Sequence, residues 1–286
     1  MKFTPPYSVG NVKTQLVNAL ADEYGRREAQ AMTELIFEDL KGWRPVDLVL
    51  NSEWMLSDYM IEKLESYSTR ILNGEPVQYV TGKARFHGFE LDVTPDVLIP
   101  RPETDELVDL IISENQESDL RVLDVGTGSG AIAIALARNL KFPEVTALDV
   151  SPAALEVARK NGRDKHAAIN FICADIFKWT PPGDSFDIIV SNPPYIAESE
   201  KKDMERNVLE YEPYMALFVP DSDPLLFYRR IAGMGAEALA PGGRLYFEIN
   251  PLFVSGLTDL LKELKYTDIR IIKDISGRDR FAVAKK

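Results

Sequence analysis

Residues 192–195 read Asn-Pro-Pro-Tyr and follow the apolar run Phe186-Asp187-Ile188-Ile189-Val190-Ser191. A polar side chain, two imino acids and an aromatic ring therefore stand at the expected end of a strand. An amide or aryl NH2 group is a poor nucleophile because its lone pair is delocalised. A site that accepts both of its N–H bonds at once can hold it in line with an electrophile. Asn192 offers a side-chain oxygen, and the Pro193 carbonyl offers a second acceptor. Pro193 and Pro194 have fixed φ and no N–H, so the clamp is preorganised. Tyr195 can stack on a planar group and tolerates a nearby cation. The competing reading is a plain turn, since Asn-Pro and Pro-Pro are ordinary strand breakers.

A second motif lies upstream. Arg121-Val122-Leu123-Asp124-Val125 reads as a strand and runs into Gly126-Thr127-Gly128-Ser129-Gly130, after which Ala131 opens a helical pattern. Glycines here let the chain turn tightly and let a ligand approach the backbone. Asp149 ends the next expected strand, 19 residues after Gly130, where a carboxylate accepts from ribose hydroxyls. The third glycine comes one residue earlier than in the G-x-G-x-x-G dinucleotide fingerprint. Asp124 precedes the turn, where a negative charge sits poorly beside a pyrophosphate but suits the ammonium of a methionine moiety. S-adenosylmethionine is the expected cofactor; nicotinamide or flavin dinucleotides and a purely structural turn are the alternatives. Asp175, after the third strand, is placed to accept from an adenine amino group with Ile176 packed on the ring; its other reading is a helix cap or solvated turn.

The composition bounds what these motifs serve. The chain has 286 residues, 45% of them apolar, with 33 basic and 45 acidic side chains and a net charge of -12. A protein that grips nucleic acid by its phosphates usually carries a basic face, so direct DNA binding is not expected. Cys173 is the only cysteine and His87 and His166 the only histidines; no disulfide can form within the chain, and no metal is expected. The N-terminus lacks an apolar signal core, and no stretch reaches the roughly 20 apolar residues of a membrane span. The expected location is the cytoplasm.

Three regions must position the motifs. Residues 1–75 carry helical spacing, with Val12, Leu16 and Leu20 and then Met32, Ile36 and Leu40 recurring every four residues. Through position 80 this stretch holds 8 basic and 12 acidic residues. Residues 76–100 hold short aromatic or β-branched runs at Gln78–Val80, Ala84–Phe86 and Phe89–Val93, and read as a β-hairpin linker. From 101 to 286 strands and helices alternate. Strands are expected at Leu120–Val125, Glu144–Val150, Ile169–Cys173, Phe186–Ser191, Arg244–Ile249, Thr267–Ile272 and Arg280–Ala284. Helices are expected at Glu103–Ser113, Ala131–Leu140, Ala153–Asn161, Leu225–Leu239 and Phe253–Leu264, with Ser151-Pro152 as an N-cap followed by proline. Such alternation implies an α/β fold with a mostly parallel sheet covered on both faces.

The clamp alone does not choose among adenine, guanine and glutamine NH2 groups. Several segments, in order, resemble the bacterial release-factor glutamine N5-methyltransferases, the PrmC or HemK family. They are Pro76-Val77-Gln78-Tyr79-Val80-Thr81-Gly82, Leu98-Ile99-Pro100-Arg101-Pro102-Glu103-Thr104, the Asp124–Gly130 turn, Asn192–Tyr195 and Tyr211-Glu212-Pro213-Tyr214-Met215-Ala216-Leu217. The resemblance spans nearly the whole chain. It implies a seven-stranded, Rossmann-like class I methyltransferase sheet with a small helical N-terminal domain, whose acidic balance is expected to make it the substrate-docking domain for a basic partner surface. It implies methyl transfer from S-adenosylmethionine to the glutamine of the Gly-Gly-Gln loop in peptide chain release factors. The family's cofactor positions fall on Gly126, Thr127, Gly128, Ser129, Gly130, Asp149, Ile176 and Asn192. Its catalytic and substrate-binding positions fall on Asn192, Pro193, Pro194 and Tyr195. Residues 99–104 are expected to line the donor pocket, with Arg101 either there or in an ion pair. Asp105, His87 and the Phe218–Asp221 loop depart from the family's usual pattern, as does Ile176, where many relatives carry a larger aromatic. A ribosomal-protein glutamine methyltransferase is the near alternative, and an amino-methyltransferase of DNA or RNA bases the distant one.

Overall fold

The computed structural model describes the backbone of residues 1–286 and every side chain except that of Asp203. Contacts divide the chain into two compact units, Met1–Lys83 with Glu205–Tyr211, and Ala84–Met204 with Glu212–Lys286.

The first unit is helical: α1 Val9–Tyr24, α2 Arg26–Lys41, α3 Pro45–Leu50, α4 Asp58–Leu72 and α5 Val77–Thr81. The four-residue spacing read from the sequence is its core, since Val12, Leu16, Leu20, Met32, Ile36, Leu64 and Ile71 all pack in one buried cluster. The strand expected at Gln78–Val80 is instead α5. Pro76 starts it, Gly82 at φ 74 ends it, and Val77, Tyr79 and Val80 are buried. Arg70 donates to the carbonyls of Tyr79 and Val80 at 3.2 Å each, satisfying the C-terminal end of this short helix. Tertiary partners thus override the β-branched propensity.

A two-stranded hairpin follows, β1 Lys83–Phe86 and β2 Phe89–Asp92. The second unit continues with α6 Pro102–Glu114, β3 Arg121–Val125, α7 Ala131–Asn139, β4 Glu144–Asp149, α8 Pro152–Asp164, β5 Ile169–Cys173 and β6 Phe186–Ser191. After β6 come the short β7 Ile196–Ala197, α9 Arg206–Tyr211 (part of the first unit), α10 Tyr214–Leu217 and β8 Phe218–Val219. The chain closes with α11 Leu226–Ala238, β9 Leu239–Glu248, α12 Val254–Glu263, β10 Thr267–Lys273 and β11 Asp279–Lys285.

Seven strands form one sheet in the order β10-β11-β9-β6-β3-β4-β5. All neighbours from β9 to β5 are parallel, and only β11 runs against its neighbours. All seven expected strands are present. The main difference is β9, which begins earlier than expected, at Leu239. Leu239 pairs with Phe186, the register then slips, and regular pairing resumes at Arg244 with Ile188. Two apolar clusters cover the sheet, one including Leu123, Ile189, Leu245 and Phe247, the other Val122, Ile188, Val190 and Tyr246. This alternation along single strands is what a sheet buried on both faces requires.

Order matters more than count here. The chain runs from β3 outward to β4 and β5, then returns to place β6 on the other side of β3. The crevice beside such a reversal, outside the carboxyl ends of the strands, is where open α/β sheets bind ligands. The end of β3 and the end of β6 meet at that crevice.

Asn161, buried on α8, ties the hairpin to the turn after β3. Its Oδ1 accepts from the Asp92 amide at 2.8 Å, and its Nδ2 donates to the carbonyls of Asp92 and Ser129 at 2.9 Å each. Replacing Asn161 by Ala leaves three backbone groups without this partner. The variant should lose about 2–3 kcal/mol of stability in denaturant unfolding, and its donor affinity should fall with it. An unchanged midpoint would show that these bonds contribute little.

Candidate active site

The carboxyl ends of the parallel strands carry almost every residue singled out from the sequence. Gly126–Gly130 follow β3, Asp149 ends β4, Asp175 and Ile176 follow β5, and Asn192–Tyr195 follow β6. Asp124 pairs with Val190 and Val125 with Ser191, so the glycine turn and the clamp leave adjacent strands at the same level. Ser191 Oγ donates to the Val125 carbonyl at 2.7 Å and ties the two strand ends together.

The glycine turn is built by its own backbone. The amides of Gly126 and Thr127 donate to the Leu148 carbonyl at 2.8 and 3.1 Å, and that of Gly130 to the Thr127 carbonyl at 2.8 Å. Gly128 N donates to Asp149 Oδ2 at 2.9 Å, while Asp149 Oδ1 accepts from Ser151 N at 2.9 Å. Four of the turn's five amides are therefore committed. A pyrophosphate needs free N–H groups, so the turn suits a ligand without one. A Cβ at Gly126 or Gly128 would meet nothing within 4 Å, which leaves that face open to a ligand. At Gly130, with φ 84, a Cβ would instead stand 3.2 Å from Ala158 Cβ and from Ile134 Cδ1, so this glycine serves helix packing.

Asp124 is not open to a ligand as its position suggested. It is fully buried, and Thr127 Oγ1 donates to its Oδ2 at 2.6 Å. Its Oδ1 is buried with no hydrogen-bond partner among the described residues. Burial pushes its carboxyl up to about 7, against the opposing hydrogen bond from Thr127. The side chains of Thr127 and Ser129 are also buried within the turn, leaving backbone rather than hydroxyls on its surface.

At the third strand end, Asp175 caps a turn. Its Oδ1 accepts from Phe177 N at 3.0 Å and its Oδ2 pairs with Lys178 at 3.2 Å; the backbone bond from Phe177 holds its carboxyl below the usual range. Ile176 is only 7% exposed and packs in the core cluster of β3 and β9. The exposed ring at this end is Phe177, tilted against Phe227 at 5.3 Å.

The clamp sits in a polar chain. Asn192 Nδ2 donates to Thr104 Oγ1 at 3.3 Å, Thr104 Oγ1 donates to Glu248 Oε2 at 2.6 Å, and Tyr195 OH donates to Glu248 Oε1 at 3.0 Å. Neither Asn192 Oδ1 nor the Pro193 carbonyl accepts a hydrogen bond among the described residues. Pro193 is buried, while Asn192, Pro194 and Tyr195 are half-buried. Asn250 Nδ2 supports the loop by donating to the Tyr195 carbonyl at 3.1 Å. Sequence reading missed Glu248. Its only signal was a carboxylate at the end of the otherwise apolar run Leu245-Tyr246-Phe247. Arg101 is an ion-pair partner: its NH2 meets Glu212 Oε1 at 2.5 Å, and the Glu212 side chain is 2% exposed. This pair ties Ile99–Thr104 to the segment that begins at Glu212.

A PrmC N-terminal domain profile matches residues 13–82 and a methyltransferase domain profile residues 122–211. The release factor glutamine methyltransferase of Bacteroides thetaiotaomicron is 46% identical over 97% of this chain and 100% of that protein. That of Flavobacterium psychrophilum is 42% identical over 95% and 97%. The chain belongs to the release factor glutamine methyltransferase family. It is an S-adenosylmethionine-dependent methyltransferase. A crystal structure of a methyltransferase from Pyrococcus furiosus shares the fold, with a TM-score of 0.53 and 19% identity over 78% of this chain and 98% of that one. For such a methyltransferase the open glycine face and the Asp149 carboxylate fit the donor's uncharged ribose better than any pyrophosphate. No helix of the described residues is long and apolar enough to cross a membrane.

The buried Asp124 has a measurable consequence. Its carboxyl titrates near 7 when folded and near 4 when unfolded. Between those values the folded state holds a proton that the unfolded state lacks, so this group's contribution to stability is full below pH 4 and is lost as pH rises to 7. Asp124→Asn removes that titration. Thermal melts from pH 4.5 to 7.5 should show the wild type losing ground to the variant as pH rises. A constant offset would place the titration elsewhere.

Proposed function

We propose that this methyltransferase acts on the side-chain amide nitrogen, N5, of the glutamine in the Gly-Gly-Gln loop of peptide chain release factors. The observation that carries the reading is the pair of uncommitted acceptors, Asn192 Oδ1 and the Pro193 carbonyl, beside an Asn192 Nδ2 already engaged by Thr104. Two uncommitted acceptors on adjacent residues match in number the two N–H bonds of a primary amide. The names of the relatives, release factor glutamine methyltransferases, support the substrate.

When bound, S-adenosylmethionine supplies a methyl carbon attached to a cationic sulfur that leaves with the bonding pair. Gly126, Gly128 and Asp149 would hold the donor, with Asp149 accepting from ribose hydroxyls. The buried Thr127, Ser129 and Gly130 shape the turn beneath it. Ile176 and the Asp175 turn would border the adenine. Asn192 Oδ1 and the Pro193 carbonyl would fix both amide hydrogens, so the nitrogen lone pair faces the methyl carbon. Pro194 stiffens the loop, and the Tyr195 ring stacks on the amide plane. The nitrogen's surplus proton is acidic after transfer and passes to solvent, so no strong base is required.

Residues 1–75, acidic in balance, are assigned to docking the release factor, with 76–100 as the linker to the catalytic domain of 101–286. Electrostatic docking predicts that added salt raises the KM for release factor while donor affinity holds. A salt-independent KM would refute it.

The decisive assay offers labelled S-adenosylmethionine with intact release factor, its Gly-Gly-Ala variant, ribosomal proteins and DNA. Label confined to the intact release factor is expected. Label in a ribosomal protein or DNA would overturn the substrate. Asn192→Ala should lower kcat by about two powers of ten or more with donor binding little changed. Asp149→Ala should mainly raise the donor Kd.

A further inference from the structure

Glu248 lies outside every motif that the sequence singled out. It ends β9, which runs parallel to β6, and the pairing of Ser191 with Phe247 brings Glu248 level with Asn192. The residue is 1% exposed. A buried carboxylate needs partners, and these are informative: the hydroxyl of Thr104 at 2.6 Å on one oxygen and the phenol of Tyr195 at 3.0 Å on the other. Both clamp side chains thus converge on one group, Tyr195 directly and Asn192 through Thr104.

The direction of these bonds fixes the clamp. A hydroxyl has one proton to give. With that proton committed to Glu248 Oε2, Thr104 Oγ1 can only accept from Asn192, and what it accepts is an N–H of Nδ2. The Asn192 amide is thereby turned so that Oδ1 is left for the substrate. Were the Thr104 proton free, it could donate to Asn192 Oδ1 instead. The amide would turn over and present an NH2, a donor, to an incoming NH2, which is also a donor.

We propose that Glu248, acting through Thr104, is a positioning residue that sets which end of the Asn192 amide faces the methyl acceptor, and that the same carboxylate anchors the Tyr195 ring. This inference rests on the methyl-acceptor reading above and deepens it. Neither Glu248 nor Thr104 touches the reacting atoms. A glutamine at 248 would break the scheme, since its NH2 end accepts from neither hydroxyl and one of the two loses its acceptor.

The test uses the full chain. Selective nitrogen-15 labelling of asparagine gives a side-chain amide resonance for Asn192, assigned by its loss in Asn192→Ala. That resonance should move in Glu248→Gln and in Thr104→Val, which keeps side-chain volume without the hydroxyl, and should return towards the wild-type position in Thr104→Ser. In parallel, kcat for release factor should fall about 10- to 100-fold in Glu248→Gln and Thr104→Val, with donor Kd held within about twofold. Thr104→Ser should restore most of the loss. In the Asn192→Ala background Thr104→Val should cost nothing further, and Glu248→Gln only the part that acts through Tyr195, because residues acting as one unit are non-additive. An unmoved resonance with kcat near wild type, or losses that add fully to that of Asn192→Ala, would overturn the proposal. A wild-type protein that leaves release factor unmethylated would refute the functional reading alone, and the resonance would still decide the positioning claim.

Discussion

The parallel pairing of β3 with β6 is the interaction on which the site depends. It is pinned at both ends. At the amino end Arg121 grips Asp187 with Nε at 3.0 Å and NH2 at 2.9 Å, and the Arg121 amide donates to the same carboxylate at 2.9 Å. At the carboxyl end Ser191 Oγ closes on the Val125 carbonyl. A slip of one residue would exchange the two faces of β6 and bury the wrong set of side chains. It would also carry Asn192 away from the level of Gly126. The reversal of strand order at β3 then makes this pair the walls of a crevice rather than neighbours within a continuous layer.

Around that crevice the chain places its carboxylates in graded settings. Asp149 is half-buried and engaged by two backbone amides, which leaves lone pairs for a ligand's hydroxyls. Asp124 and Glu248 are buried, and burial raises both carboxyls above their ordinary values. Their role is structural in the strict sense: each fixes the direction of a neighbouring hydroxyl, Thr127 in one case and Thr104 in the other. The surface proposed to face a ligand consequently consists of backbone, the Asp149 carboxylate, an amide oxygen, a proline carbonyl and an aromatic ring. Such a surface is preorganised, because few of its groups must reorient during a reaction.

Arg101 shows how a motif can be recognised without its role being readable. It stands in Ile99–Thr104, beside residues expected to line a pocket, yet its partner Glu212 lies 111 residues away in sequence. The pair fastens one end of the clamp's surroundings to the segment after α9. The helix at Val77–Thr81 is a parallel case. Its β-branched and aromatic residues read as a strand, but Arg70, Pro76 and Gly82 supply the caps that make a single helical turn stable.

The sequence by itself determined the long helices, the seven strands of the main sheet and the two motifs. Periodicity marked the N-terminal helices and all seven sheet strands, because burial of one or both faces writes itself into residue spacing. Glycines at 126, 128 and 130 and prolines at 193 and 194 announced their turns, because those backbone geometries admit few other residues. Tertiary structure alone decided what the side chains between them face. Asp124 reads as a ligand contact but lies sealed beneath the turn; Ile176 belongs mostly to the core; Glu248 carries no local signal at all. Hydrogen bonds joining residues 104, 192, 195 and 248 depend on strands brought together over as many as 144 residues of intervening chain. No local spacing rule records such a meeting, since it is the sheet order, and not the period of any one strand, that creates it.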